Sequence, residues 1–262
     1  DPAIPNDLPI LPLRNTVSFP FSMMPLAVSI PRSVKLVEDA MSGDRLVGLV
    51  AVKDPENKEP QPGQTYEIGT VAKVEHITHG PDQSLQVLVH GLERFKIDYW
   101  LADKPYLRAH VSLIPDTVDT DVEMDALQRS LRDVAQEVFT LSPNYPKEAA
   151  DYLNRVKDPR YLTYLVAGSD APELPEGQAN LAAKSQKEKL RALIAHLTHE
   201  KQVLSLGKKI KTEAKEEMTK AQREYYLRQQ LKAIQKELGQ ADGGDLVLLI
   251  DANLDVVTDI RP

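Results

Sequence analysis

From Ser185 to Leu238 the chain carries no proline, and Ala, Leu, Glu, Lys, Gln and Arg fill most positions before Gly239 interrupts the run. Proline is the strongest helix breaker and these residue types are the best helix formers, so the stretch predicts one continuous helix. At 1.5 Å per residue it would be roughly 80 Å long. A domain of ordinary size cannot cover such a rod, so part of it must leave the domain that holds its start. Ser185 and Glu188 have the spacing of a capping box. Leu190, Leu193, Ile194 and Leu197 then form a stripe that should dock on preceding helices. Leu227, Leu231, Ile234 and Leu238 follow a 4-3-4 spacing, like a coiled-coil seam. Between them KKIKTEAKEEMTKAQRE is mostly charged, with Ile210, Ala214, Met218 and Ala221 as a thin apolar stripe. Gly207 is the expected bend.

The text before this helix has two characters. Up to about Ile114 it is β-like, with LPILPL (8–13), MPLAVSI (24–30) and LVGLVAV (46–52) as short apolar runs broken by Pro and Gly. One short helix, SVKLVEDAM (33–41), interrupts them. EIGTVAKVEHIT and SLQVLVHG flank a Gly-Pro-Asp turn, which predicts a hairpin. Phe95, Ile97, Tyr99 and Leu101 alternate, as do Leu107, Ala109, Val111 and Leu113, which predicts a small antiparallel barrel or sandwich. The loop DPENKEPQPGQ (54–64) is expected at the surface. From Pro115 the periodicity turns helical. Thr120 and Glu123 read as a capping box, and Met124, Leu127, Leu131, Val134 and Val138 as one apolar stripe. SPNYP (142–146) ends that helix, and another is expected over 147–156. Asp158-Pro159 and Gly168 should start and stop a third. Pro172 and Pro175 read as a linker. The expected organisation is 1–115 β-rich, 116–184 helical bundle, 185–239 long helix and 240–262 an atypical tail. The fold class is α+β.

Charge and cysteine narrow the chemistry. There is no cysteine, which excludes disulfides, Cys-ligated zinc, iron–sulfur clusters and thiol catalysis. The net charge of −7 hides 14 basic against 7 acidic residues over 184–237. No stretch approaches the length of a membrane span, and the start lacks a basic, apolar leader, so a cytoplasmic chain without membrane contact is expected.

LPILPLRNTVSFPFSMMPLAV (8–28), PYLRAHV (105–111) and QREYYLRQQLKAIQKELG (222–239) together resemble the amino-terminal region of the Lon (La) ATP-dependent proteases. The resemblance covers 8–239 and implies a PUA-like substrate-recognition domain, a helical bundle and a long helix. It further implies binding of unfolded or damaged proteins and assembly with copies of itself, as a homohexamer in the whole protein. An AAA+ ATPase using ATP and magnesium and a protease with a Ser–Lys dyad complete that family. No G-x-x-x-x-G-K-[ST] occurs here, and Gly207-Lys208 lacks both the upstream Gly and the following Ser/Thr. The chain therefore reads as an amino-terminal fragment with no cofactor and no catalytic residues of its own. GGDLVLLIDANLDVVTDIRP departs from the family and reads as strand and turn.

Several residues invite a functional reading. His76-x-x-His79 and His196-x-x-His199 pair imidazoles but lack a third ligand at familiar spacing, so no metal is expected. Ser205-x-x-Lys208 matches a nucleophile motif in letters only, mid-helix. Lys208, Lys209 and Lys211 could meet phosphate, which keeps a nucleic-acid module as the alternative, although Glu213, Glu216 and Glu217 dilute the field. Phe19, Phe21, Met23 and Met24 lie in a proline-flanked connection where strand periodicity does not need them. They either fold over one end of the barrel or form an exposed, adaptable patch for unfolded segments. Met218 and Tyr225 share a helix face with Tyr226 adjacent, and would either pack on another copy or grip a polypeptide.

Overall fold

The computed structural model describes residues 4–237, apart from 81, 83, 118 and 170–172. The expected helix stop at Leu238–Gly239, Pro172 and the tail lie outside the described residues. The chain divides into two compact units, 1–205 and 206–262.

The first unit is built on six strands: β1 (Asp7–Leu13), β2 (Met23–Val28), β3 (Leu46–Ala51), β4 (Ile68–His79), β5 (Leu85–Ala102) and β6 (Arg108–Leu113). β1, β3, β4, β5 and β6 close a ring, and β2 adds to β5. All pairings are antiparallel except that of β1 with β3, where Ile10 faces Gly48. Parallel neighbours need a crossover, and β2 with helix α1 (Pro31–Ser42) supplies it. β5 is 18 residues long because one of its edges serves two partners. β2 pairs along Leu85–His90 and β6 along Phe95–Ala102. The alternation expected from Phe95 onward holds to Ile97. A bulge at Asp98 then reverses the phase, since Ile97 faces Val111 while Tyr99 faces His110. Tyr99 and Leu101 are consequently exposed, and Trp100 packs on the barrel core instead.

Three apolar clusters hold this unit. Leu8, Ile10, Leu46, Val71, Phe95 and Val111 help fill the barrel. Leu36 and Val37 of α1 cover Leu11, Leu13, Val47, Leu49 and Val87. β3 is buried along its whole length, which explains its unbroken apolar text. The third cluster joins Val17, Phe19 and Ala51 to the helices.

Those helices are α2 (Val122–Leu141), α3 (Lys147–Leu153), α4 (Pro159–Ser169), α5 (Leu174–Ala182) and α6 (Gln186–Glu237). Met124, Leu131, Val134 and Val138 of α2 are buried as their spacing predicts. The cap differs by one residue: Asp121, not Thr120, accepts from the Met124 amide at 2.8 Å. α3 ends at Leu153, short of the expected 156. Asp158 caps α4, accepting from the Arg160 and Tyr161 amides. Gly168 does not stop α4 but lies within it, opposite Ser22 and Phe19. Pro175 sits in the first turn of α5, where its missing N–H costs nothing, so the expected linker is partly a helix.

α6 is 52 residues long and begins with the predicted capping box. The Glu188 amide donates to Ser185 Oγ at 3.2 Å, and Glu188 Oε2 accepts from the Ser185 amide at 3.4 Å. Leu190, Leu193 and Leu197 are buried, with Ile194 half-buried beside them. Ser185→Ala should lower the unfolding free energy by about 1 kcal/mol in urea titration, because a helix-start donor loses its acceptor. An unchanged midpoint would assign the cap no energetic role.

Candidate functional site

The connection from β1 to β2 is fastened to β5 at one point. Gly91 donates to the Ser22 carbonyl at 2.9 Å and accepts from the Phe21 amide at 2.8 Å. A Cβ on residue 91 would lie 2.2 Å from the Phe19 carbonyl oxygen, so this approach requires glycine. Ser22 Oγ donates to the same carbonyl at 2.6 Å. Phe21 is held at φ 62°, a conformation a bulky side chain rarely adopts.

This turn sorts the four apolar residues. Phe19 is only 2% exposed, which corrects its place in the exposed-patch reading and leaves it to packing. Its ring packs 6.1 Å from that of Tyr164 on α4. The proline-flanked text resembled a free loop, but the helices cover it. Phe21 is half-buried, edge-on to Tyr161 at 5.8 Å and beneath the Arg160 guanidinium at 5.3 Å. Met24 is half-buried over the cluster beneath α1. Met23 alone of the four is open, at 54% exposure.

Beneath the turn lies a charged cluster whose members are far apart in sequence. Asp116, just after β6, accepts from Arg94 Nη2 at 2.7 Å and from Lys189 Nζ at 2.5 Å. The Tyr164 hydroxyl donates to Asp116 and accepts from Lys189. Arg94 Nη1 also donates to the Leu181 and Ala183 carbonyls at 2.8 and 3.1 Å, closing the end of α5. Burial lowers the Lys189 ammonium to about 8 although Asp116 opposes the shift. Burial, with the Asp116 charge second, raises the Tyr164 phenol. Lys189 is fully buried, so the cluster binds β5, α4, α5 and α6 together and offers nothing to a reactant. Lys189 lies one and two helical turns before Leu193 and Leu197, and a lysine on that stripe was the one available hint.

The remaining sequence candidates lie apart. His196 meets Glu176 at 3.2 Å, and His79 lies 3.9 Å from Glu38. Among the described residues no group of three or more metal-ligating side chains is assembled. Ser205 and Lys208 are both interior to α6. In the second unit Lys209 pairs with Glu213 at 3.8 Å, on an exposed helix surface. Met218, Tyr225 and Tyr226 are 64%, 66% and 63% exposed, and Leu227, Leu231 and Ile234 are exposed too. No described helix is long and apolar enough to cross a membrane.

Comparison with known proteins gives these residues a context. Residues 7–199 match the family model described as the ATP-dependent protease La (LON) substrate-binding domain. The chain is 38% identical over 239 residues to a Lon protease of Dictyoglomus thermophilum, covering 91% of this chain and 30% of that protein. It is 40% identical over 242 residues to Lon protease 1 of Herpetosiphon aurantiacus, covering 90% and 30%. The chain thus spans about 30% of the length of these relatives. Among solved structures it matches the N terminal domain of Mycobacterium avium complex Lon protease with a TM-score of 0.60 at 21% identity. That match covers 73% of this chain and 98% of the other, and shows a shared fold.

Proposed function

The chain belongs to the Lon substrate-binding domain family, and from that membership we propose that it captures unfolded or damaged polypeptides. The family match over 7–199 carries this reading. The open Met23 beside half-buried Phe21 and Met24, and the exposed Met218, Tyr225 and Tyr226, support it by chemistry. Burying one apolar side chain of a client gains about 1.5–3 kcal/mol before ordering costs. Single contacts are therefore weak, and capture draws on several at once. The exposed Leu227, Leu231 and Ile234 of α6 suit assembly with other copies. In the whole protein we place this binding ahead of an ATP- and magnesium-dependent serine endopeptidase, in a cytoplasmic homo-oligomer.

The test compares a reduced, carboxymethylated protein, its folded form and a short DNA duplex at near-physiological salt. Saturable binding of the unfolded form alone is the expected result. Equal binding of the folded form, or binding of the duplex alone, would overturn the reading.

A further inference from the structure

β2 lies outside the closed ring and, among the described strands, pairs with β5 alone. β6 pairs with β1 along Asp7–Pro9, leaving Leu11–Leu13 with β3 on one edge and no strand among the described residues on the other. A cleft of about 220 Å³ separates these two edges, lined by Pro12, Leu13 and Arg14 on one side and Pro25, Leu26 and Ala27 on the other.

The direction of each backbone group follows from the ladder. Gly91 donates to Ser22, in register with the β2–β5 pairing, so Met24, Leu26 and Val28 turn their amides to β5. Met23, Pro25 and Ala27 then present theirs to the cleft. On β1 the Leu13 carbonyl accepts from Val52 and the Ile10 amide donates to Leu107, so Pro12 also faces the cleft. Both prolines thus sit where no internal N–H is needed. The cleft edge of β2 is left with the amides of Met23 and Ala27 and the carbonyls of Met23, Pro25 and Ala27. No hydrogen bond among the described residues engages them.

We propose that an extended stretch of client polypeptide adds here as a strand alongside β2. This rests on the substrate-capture reading above and gives it a chemical basis. Unpaired amides and carbonyls at strand spacing complement the one feature every unfolded chain shares, its backbone. Such a mode is indifferent to sequence, and the adjoining Met23 and Leu26 side chains add a preference for apolar residues. Pro12 and Pro25 limit the ladder to a few bonds, which keeps capture reversible and discourages permanent sheet growth.

The experiment uses Ala27→Pro, which removes one cleft-facing amide without touching the β5 ladder, with Ala27→Ser as the control that keeps it. The probe is a ten-residue apolar peptide, with the carboxymethylated protein measured in parallel. Ala27→Pro should weaken both roughly three- to tenfold, the worth of one hydrogen bond, while Ala27→Ser binds like the parent. Hydrogen exchange should slow at Met23 and Ala27 on peptide binding, with Met24 and Leu26 unchanged. If the parent binds the probes but Ala27→Pro binds equally and Met23 and Ala27 gain no protection, strand addition is wrong and the capture reading survives. If the parent binds neither probe, capture itself fails. Protection that rises with protein concentration and not with peptide would assign the edge to a second copy of the chain and overturn the proposal.

Discussion

Asp116→Ala should lower the unfolding free energy by about 3–5 kcal/mol, the cost of leaving buried charges without their counterion. Arg94 and Lys189 both point at this carboxylate, and the Tyr164 hydroxyl donates to it. Water cannot substitute, since Lys189 and Arg94 are essentially unexposed. Joint replacement of Arg94, Asp116 and Lys189 by Met, Leu and Met should recover much of the loss, because apolar residues of similar volume need no partners. Proton linkage gives a second readout. The folded Lys189 value of about 8 lies below its unfolded 10.5, so the unfolded chain binds more protons in between. Stability from this group therefore rises as pH climbs from about 8. Tyr164 has a folded value above its unfolded 10.0, so its contribution falls beyond pH 10. Urea titrations at pH 7.5, 8.5 and 9.5 should show the rise in the parent and lose it in Lys189→Met. A small loss on Asp116→Ala with a flat pH profile would show that the cluster is solvated.

Phe19→Ala should cost about 3–5 kcal/mol, as expected for a large aromatic cut from a close-packed core. Phe19 joins the strands to Tyr164 and the helical cluster, and its carbonyl is already committed to Ser22 Oγ. Met23→Ser, four residues on, should change stability by less than about 0.5 kcal/mol because its side chain is open. Client binding should respond in the opposite sense, weakening in Met23→Ser at unchanged melting temperature. Equal melting losses in both variants would assign the whole connection to packing.

Local chemistry made much of this fold legible. β1, β2 and β3 announce themselves as apolar runs between prolines and glycines, and α2 by its three-and-four spacing. Ser185–Glu188 formed the cap that its spacing promised. What stayed hidden depends on residues distant in sequence. Nothing near Asp98 marks a bulge, because a bulge is a relation between two strands. The parallel β1–β3 pair depends on where the crossover lands. Arg94 occupies a face of β5 that alternation assigns to water, and only the helices packed there make it interior. Phe19 is interior for the same reason. Asp116 and Lys189 are 73 residues apart, so no local pattern joins them. The exposure of Met218 and Tyr225 did follow from their charged surroundings.

The Asp116 cluster also sets an order of events during synthesis. The six described strands have been made once Leu113 is added, yet Arg94 still lacks the lysine that completes its cluster and the carbonyls of Leu181 and Ala183. Lys189 is added 76 residues later, roughly 4–15 s at the usual speed of translation. Through that interval a nascent barrel carries a guanidinium on the face the helices will cover, with Phe19 and Val17 unshielded beside them. The chain thus passes through an interval of exposed apolar surface, ended by the first turn of its longest helix.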